Sequence, residues 1–227
     1  MRPPSVENRE AFDAFLAFIT VTATRAARSA PEVFDDSPTA LWRRRFTFVG
    51  MLFKYTNWLD SAESVVEAFK AFITNSRYEM VSALMQTADR MALLAPQDCF
   101  ALVVFAMRLN QPGAVETLLT NNCISAAIST ATMQTSAGET LLHFDARHTD
   151  GEFAPRLMEL RQDPTVQCNH GQRALAILMF ISDGKEPSDQ RKAAIALHDN
   201  AVRVAEETRA TQAKHAEALN GGAAGAN

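Results

Sequence analysis

The residue types in this chain that could do chemistry gather between positions 143 and 170. His143, His148, Cys168 and His170 fall there. A thiolate and several imidazoles are a donor set for zinc. Their spacing fits no finger pattern, so the expectation is no metal, with Cys168 facing a packed link. Cys99 or Cys123 with His143 would make a nucleophile and base. Nothing local supplies an oxyanion hole or a third orienting group. Glu206-Glu207 and Asp35-Asp36 are adjacent carboxylates. Neighbours in a helix point apart, so they read as solvated surface rather than as an acid and base pair. A phosphate-cradling GxxxxGK[ST], a GxGxxG and an HExxH are all missing. The reading is therefore no catalytic residue, no cofactor, no metal and no enzyme.

Arg43-Arg44-Arg45 is the only basic cluster. Three consecutive helical residues fan over about 200°, so they cannot form one flat stripe. Leu41, Trp42 and Phe46 surround them, and one arginine can lay its stem on an aromatic ring. The three read as solvated or packed structural arginines, with contact to a phosphate or an acidic partner as the alternative, and Asp150 is a further candidate partner contact.

Composition narrows the class. The 227 residues are 47% hydrophobic and 21% charged, with a net charge of −4. That length suits one domain with tails, and the acidic balance disfavours a sequence-independent nucleic-acid binder. Cys99, Cys123 and Cys168 are odd in number and far apart, which suits free thiols in a reducing compartment. The expected location is the cytoplasm, with the nucleus as the alternative. No apolar run reaches the ~18 residues of a membrane span. Acidic residues precede the first apolar stretch, 12–22, which is unlike a secretion signal.

The elements that must position these residues read as helices throughout. Residues 1–8 form a flexible N-terminus, and helices follow at about 9–29 and 40–57 with a Pro- and Asp-punctuated loop at 31–39. Ser61 is placed to cap a helix that Thr74-Asn75-Ser76 breaks, and 78–88 is its partner. A second pair follows: 101–107, the turn Asn110-Gln111-Pro112-Gly113, then 114–119. Val81-Ser82-Ala83-Leu84-Met85 matches Val115-Glu116-Thr117-Leu118-Leu119 at a spacing of 34. The stretch 124–137, rich in Ser, Thr and Ala, reads as an insertion that loops out. After a turn at 182–187, Ser188 caps a helix to about 213, with an apolar stripe of Ile195, Leu197, Val202 and Val204. Residues 216–227 read as a disordered tail.

The best internal match opens at two glycines. Gly138-Glu139-Thr140-Leu141-Leu142-His143 recurs 33 residues on as Gly171-Gln172-Arg173-Ala174-Leu175-Ala176. Each glycine stands before an apolar run, where a turn with positive φ is cheap only for glycine. Thr140 is placed to cap a short helix closed by Asp150-Gly151. A second short helix runs from Phe153 to Leu160, and Asp163-Pro164-Thr165 ends it. Neither helix is long enough to stand alone in water, so stacked units must bury each other's faces.

This unit resembles an ankyrin repeat. Gly138-x-Thr140-x-Leu142-His143 is similar to the family's opening G-x-T-P-L-H, with Leu141 where the family has proline. Asp163 to Gly171 is similar to its inter-repeat link, and Arg173 stands where the family has threonine. The resemblance covers about a fifth of the chain. It implies that Gly138, Thr140, His143, Gly151, Asp163, Pro164 and Gly171 shape the turns, with His143 tying its turn by hydrogen bonds. The fold expected is all-α: one domain of stacked helical hairpins over 9–215, with repeats near 98–137, 138–170 and 171–200. Another α-solenoid or an irregular helical domain is the alternative. The resemblance implies an interaction module that binds another protein on a concave face. A self-assembling, capsid-type structural protein and an enzyme of unassigned type are the other readings.

Overall fold

A computed structural model describes residues 59, 61–129, 133–180 and 187–223, the last seven by backbone only. The expected helices at 9–29 and 40–57, with Arg43, Arg44 and Arg45, lie outside these residues. So do Asp35-Asp36 and the turn at 182–186. Every regular element among the described residues is a helix and none is a strand, so the all-α expectation holds. The chain divides into two compact units, Met1–Ala131 and Thr132–Asn227.

The described part of the first unit contains a helical hairpin and a second copy of it. Helix α1 (Ala62–Thr74) starts where Ser61 and Ser64 cap each other's backbone N–H groups. It ends at Asn75, and Ser76 takes a left-handed φ of 53°. Helix α2 (Tyr78–Met85) follows at once. Helix α4 (Pro96–Arg108) and helix α5 (Pro112–Thr120) repeat this junction 34 residues later. Arg77 N–H bonds Phe72 O as Gln111 N–H bonds Ala106 O, and Asn110 has φ 48° where Ser76 has 53°. Between the hairpins lies the short α3 (Ala88–Met91). Helix α1 packs on α4 and α2 on α5, so first helix stacks on first and second on second. Phe69, Phe72, Leu102, Met107, Leu118 and Leu119 fill the space between. Burying side chains of this size contributes about 1.5–3 kcal/mol each.

Three boundaries differ from the sequence reading. The helix expected over 78–88 stops at Met85, because Thr87 turns to an extended conformation and α3 restarts beyond it. Helix α4 starts at Pro96 rather than 101. Proline fits a first helical turn, and Asp98 Oδ2 accepts the Ala95 N–H at 2.9 Å. The stretch expected to loop out after Cys123 contains helix α6 (Asn122–Ser129). Ile124 and Ile128, four residues apart, are buried against α4 and α5, and Asn121 Oδ1 accepts the N–H groups of Cys123 and Ile124. A low-charge Ser/Ala composition conceals that two-residue apolar stripe.

The second unit also stacks two hairpins. Helix α7 (Leu141–His148) pairs with α8 (Ala154–Glu159), and α9 (Ala174–Phe180) pairs with α10 (Asp189–Ala223). Helix α7 packs on α9 and α8 on α10. Ser188 Oγ accepts the Arg191 N–H at 3.2 Å, as its capping position predicts. Helix α10 runs to Ala223, past the end expected near 213 and into the stretch read as a tail. Residues 205–219 are mostly Ala, Glu, Lys, Gln and Thr, and no glycine interrupts them before position 221. Its buried face is Arg191, Ala194, His198 and Val202, whereas Val204, expected on the apolar stripe, is 49% exposed.

Candidate functional site

Two turns in the second unit are built alike, 33 residues apart. In the first, the Gly138 N–H bonds Thr135 O at 2.9 Å and the Thr135 N–H bonds Glu139 O at 3.0 Å. In the second, the Gly171 N–H bonds Cys168 O at 2.8 Å and the Cys168 N–H bonds Gln172 O at 2.9 Å. Gly138 has φ 73° and Gly171 has φ 72°, a region that a β-carbon disfavours. The second turn lies on the first. The Asn169 N–H donates to Ala137 O, and the Asn169 amide Nδ2 donates to Ser136 O, both at 2.9 Å. Gln134, Ser136, Gln167, His170 and Gln172 are exposed on these turns.

Behind the turns, His143 joins the two hairpins of the second unit. Its ring sits 1% exposed in the first turn of α7. Nε2 lies 2.9 Å from Gln172 O, and a carbonyl only accepts, so Nε2 carries the proton. Nδ1 then accepts the Thr140 N–H at 3.1 Å and the Thr140 hydroxyl at 2.8 Å. Thr140 stands at the N-cap with extended backbone, and its hydroxyl serves the imidazole. Burial holds the His143 pKa below its ordinary value, against the pull of the Gln172 carbonyl. The neutral tautomer is the one that this bond pattern requires.

Asp145, one residue past Phe144, is fully buried. Its Oδ1 accepts the Thr149 hydroxyl and the Phe153 N–H, the latter at 3.0 Å, which fixes the α7–α8 corner. Oδ2 has no hydrogen-bond partner. Burial pushes this carboxyl up to about 6, with the Thr149 and Phe153 bonds pulling the other way. At the same corner Asp150 takes φ 55° and Gly151 φ 79°. A β-carbon on Gly151 would stand 2.4 Å from Ala194 Cβ. The Asp150 carboxylate engages the Arg191 guanidinium, and Gln190 Nε2 donates to Thr149 O at 3.2 Å.

The Asp163-Pro164-Thr165 corner is tied the same way to the far part of α10. Asp163 Oδ1 accepts the Thr165 N–H at 2.8 Å and its hydroxyl at 2.7 Å, with Pro164 between them. Asp163 Oδ2 accepts Arg209 Nη2 at 2.9 Å. Burial alone would raise this carboxyl, but the bonds from Thr165 and Arg209 outweigh it and hold it below its ordinary value. Asp150 and Asp163 therefore both spend their charge on α10.

His198 was not anticipated as special. It sits at 0% exposure on the inner face of α10, and neither ring nitrogen has a hydrogen-bond partner. Burial, with a smaller effect from nearby His143, pushes its pKa down to about 4. The signal was present as spacing: Ala194, His198 and Val202 lie four apart on one helix face.

The donor set read for zinc is not brought together. Cys168 is buried, His170 is exposed, and His143 is committed to Thr140 and Gln172. No group of three or more metal-binding side chains occurs among the described residues. Cys99 belongs to the first unit, and burial and Asp98 push its thiol up to about 11, far from a thiolate nucleophile. Cys123 is exposed. Glu206 pairs with Arg173 at 2.9 Å and Glu207 with Arg203 at 3.0 Å, so the two acids point apart. No helix among the described residues is long and apolar enough to cross a membrane. Comparison with protein-family models, with curated proteins and with solved structures finds no match for the chain.

Proposed function

We propose that the chain is a protein-interaction module built as a degenerate, ankyrin-like stack, and that a partner protein docks on the solvent side of its repeat turns. The observation that carries this reading is the seating of the Cys168–Gly171 turn on the Thr135–Gly138 turn through Asn169. Two like turns, each followed by a short first helix, give two adjoining tips 33 residues apart in sequence. Tips of that kind display side chains from successive units to one extended ligand. Ser136, Asn169 and His170 are exposed on them. His143, Thr140 and Asp145 lie behind, satisfying backbone groups and fixing the spacing.

The test is affinity capture with the full chain, comparing wild type with a Ser136→Arg, His170→Asp double variant. Both positions are exposed, so the circular dichroism and melting temperature should stay unchanged. A protein retained by the wild type and lost by the variant supports the turn face. Retention of every bound protein by the variant would sink it.

A further inference from the structure

We propose that α10 is an acid-released arm, which leaves α8 and α9 when His198 takes up a proton while α7 and α9 stay stacked. Helix α10 is seated by few apolar groups. Of its described side chains only Ala194 and Val202 are buried apolar ones, whereas the much shorter α7 buries Leu141, Leu142, Phe144 and Ala146. Between Ala194 and Val202, on the same face, stands His198, fully buried and with no hydrogen-bond partner on either ring nitrogen. A proton there creates a cation that has lost its water and gained no acceptor. Separation of α10 gives water back to both nitrogens, so the charged imidazole favours the open arrangement.

The charges around the ring do not compensate. From α7 the titratable group that acts on His198 is His143, and it opposes a second positive charge. Helix α9 carries no titratable side chain. Helix α8 brings Arg156 and Glu159, which pair with each other at 2.8 Å. On α10 itself the positions three and four residues away hold Ala194, Ile195, Ala201 and Val202, and the adjacent Asp199 is exposed. The ion pairs Arg173–Glu206 and Arg209–Asp163 are largely solvent-exposed, and pairs of that kind hold a helix weakly. The hydrogen bonds of Asp145 all lie within the α7–α8 corner, so opening of α10 leaves them in place. His143 ties α7 to the second turn, so its own protonation loosens α7 rather than α10.

The test is hydrogen exchange of the full chain, read by mass spectrometry at pH 7 and pH 5 and expressed as protection relative to the unstructured chain. Burial pushes the docked His198 down to about 4 from 6.5. The released arm therefore takes up the proton first, and docking is full above pH 6.5 and weakens as pH falls toward 4. Protection over residues 191–204 should fall at least about tenfold from pH 7 to pH 5, while that over 141–148 stays within about twofold. His198→Leu should remove the fall. No fall in the wild type overturns the proposal, as does a fall shared equally by α7 and α10 or one that persists in His198→Leu. Should His198→Leu not fold, His198→Met is read in the same way, and the wild-type contrast between α7 and α10 decides by itself whether the opening is local. The turn contacts through Asn169 involve no residue of α10, so partner capture at Ser136 and His170 is read separately.

Discussion

A β-carbon at Gly138 would stand 2.5 Å from Asn169 Oδ1 and 3.0 Å from its backbone nitrogen, whereas Gly171, in an otherwise matching turn, faces open space. Both glycines share a positive φ, so alanine is strained at each. Gly171→Ala should cost about 1 kcal/mol from backbone strain alone. Gly138→Ala should cost about 2–3 kcal/mol, because it also forces Asn169 off the first turn. Urea denaturation of both variants measures the difference. Equal losses would show that the turn-on-turn contact contributes nothing.

The imidazole of His143 serves three groups. Thr140→Val removes only the hydroxyl donor to Nδ1 and should cost about 1 kcal/mol. His143→Leu leaves the Thr140 N–H and the Gln172 carbonyl without their partner in a buried place. It should cost about 2–4 kcal/mol. Thermal and urea unfolding rank the two, and the reverse order would contradict the assigned tautomer.

Two buried groups in the second unit titrate against each other. His198 has its pKa lowered from 6.5 to about 4. The unfolded chain takes up that proton first, so stability is full above pH 6.5 and falls as pH drops toward 4. Asp145 is raised from 3.8 to about 6. Its burial lets the unfolded chain ionise first, so stability is full below pH 3.8 and falls as pH rises toward 6. Each effect amounts to about 3 kcal/mol at most. Between pH 4 and 6 they oppose. His198→Leu should therefore gain stability relative to wild type on going from pH 7 to 4.5. Asp145→Asn should lose it over the same step. Urea midpoints at the two pH values decide, and parallel shifts in all three proteins would refute the assignment.

In the first unit the two hairpin junctions are joined by a polar contact. The Tyr78 hydroxyl donates to Gln111 Oε1, and the Ser76 hydroxyl reaches the same oxygen at 3.2 Å. Tyr78→Phe and Gln111→Ala should each cost about 0.5–1.5 kcal/mol. Their double variant should cost less than the sum, because both remove one bond. Strict additivity in a double-mutant cycle would show that the bond is not formed in solution.

Much of the architecture was legible because it rests on local chemistry that repeats. Ser61, Gly138, Gly171 and the 33- and 34-residue spacings mark caps and turns that the backbone needs wherever the unit recurs. The parts that were hidden depend on partners distant in the chain. Asn169 looks like any link residue until Ser136 and Ala137 are brought beneath it. Asp150 and Asp163 look like surface charges until Arg191 and Arg209 arrive from α10. Helix α6 was hidden because Ile124 and Ile128 give a stripe only two residues long. His198 was hidden because a histidine in an apolar stripe is read as polar until the stripe is known to be fully covered.

Helix α10 leaves the second unit behind. Arg209 is its last residue seen to bond another element, and every residue from 206 to 216 is exposed. From there to Ala223 lie about 14 residues, a rod of about 21 Å at 1.5 Å per residue. Up to residue 216, where the described side chains end, none beyond Arg209 is seen to bond another element, and local bonds such as Thr211 Oγ1 to Glu207 O run along the helix itself. A helix of that length is marginal by itself in water. Amide hydrogens along α10 should thus exchange on a gradient, slow beside His198 and fast beyond Arg209. Fraying there is local and leaves the cooperative melt of the second unit untouched. The overhang is accordingly the place where a reporter dye, a cleavage site or a fused domain can be attached without disturbing the stack.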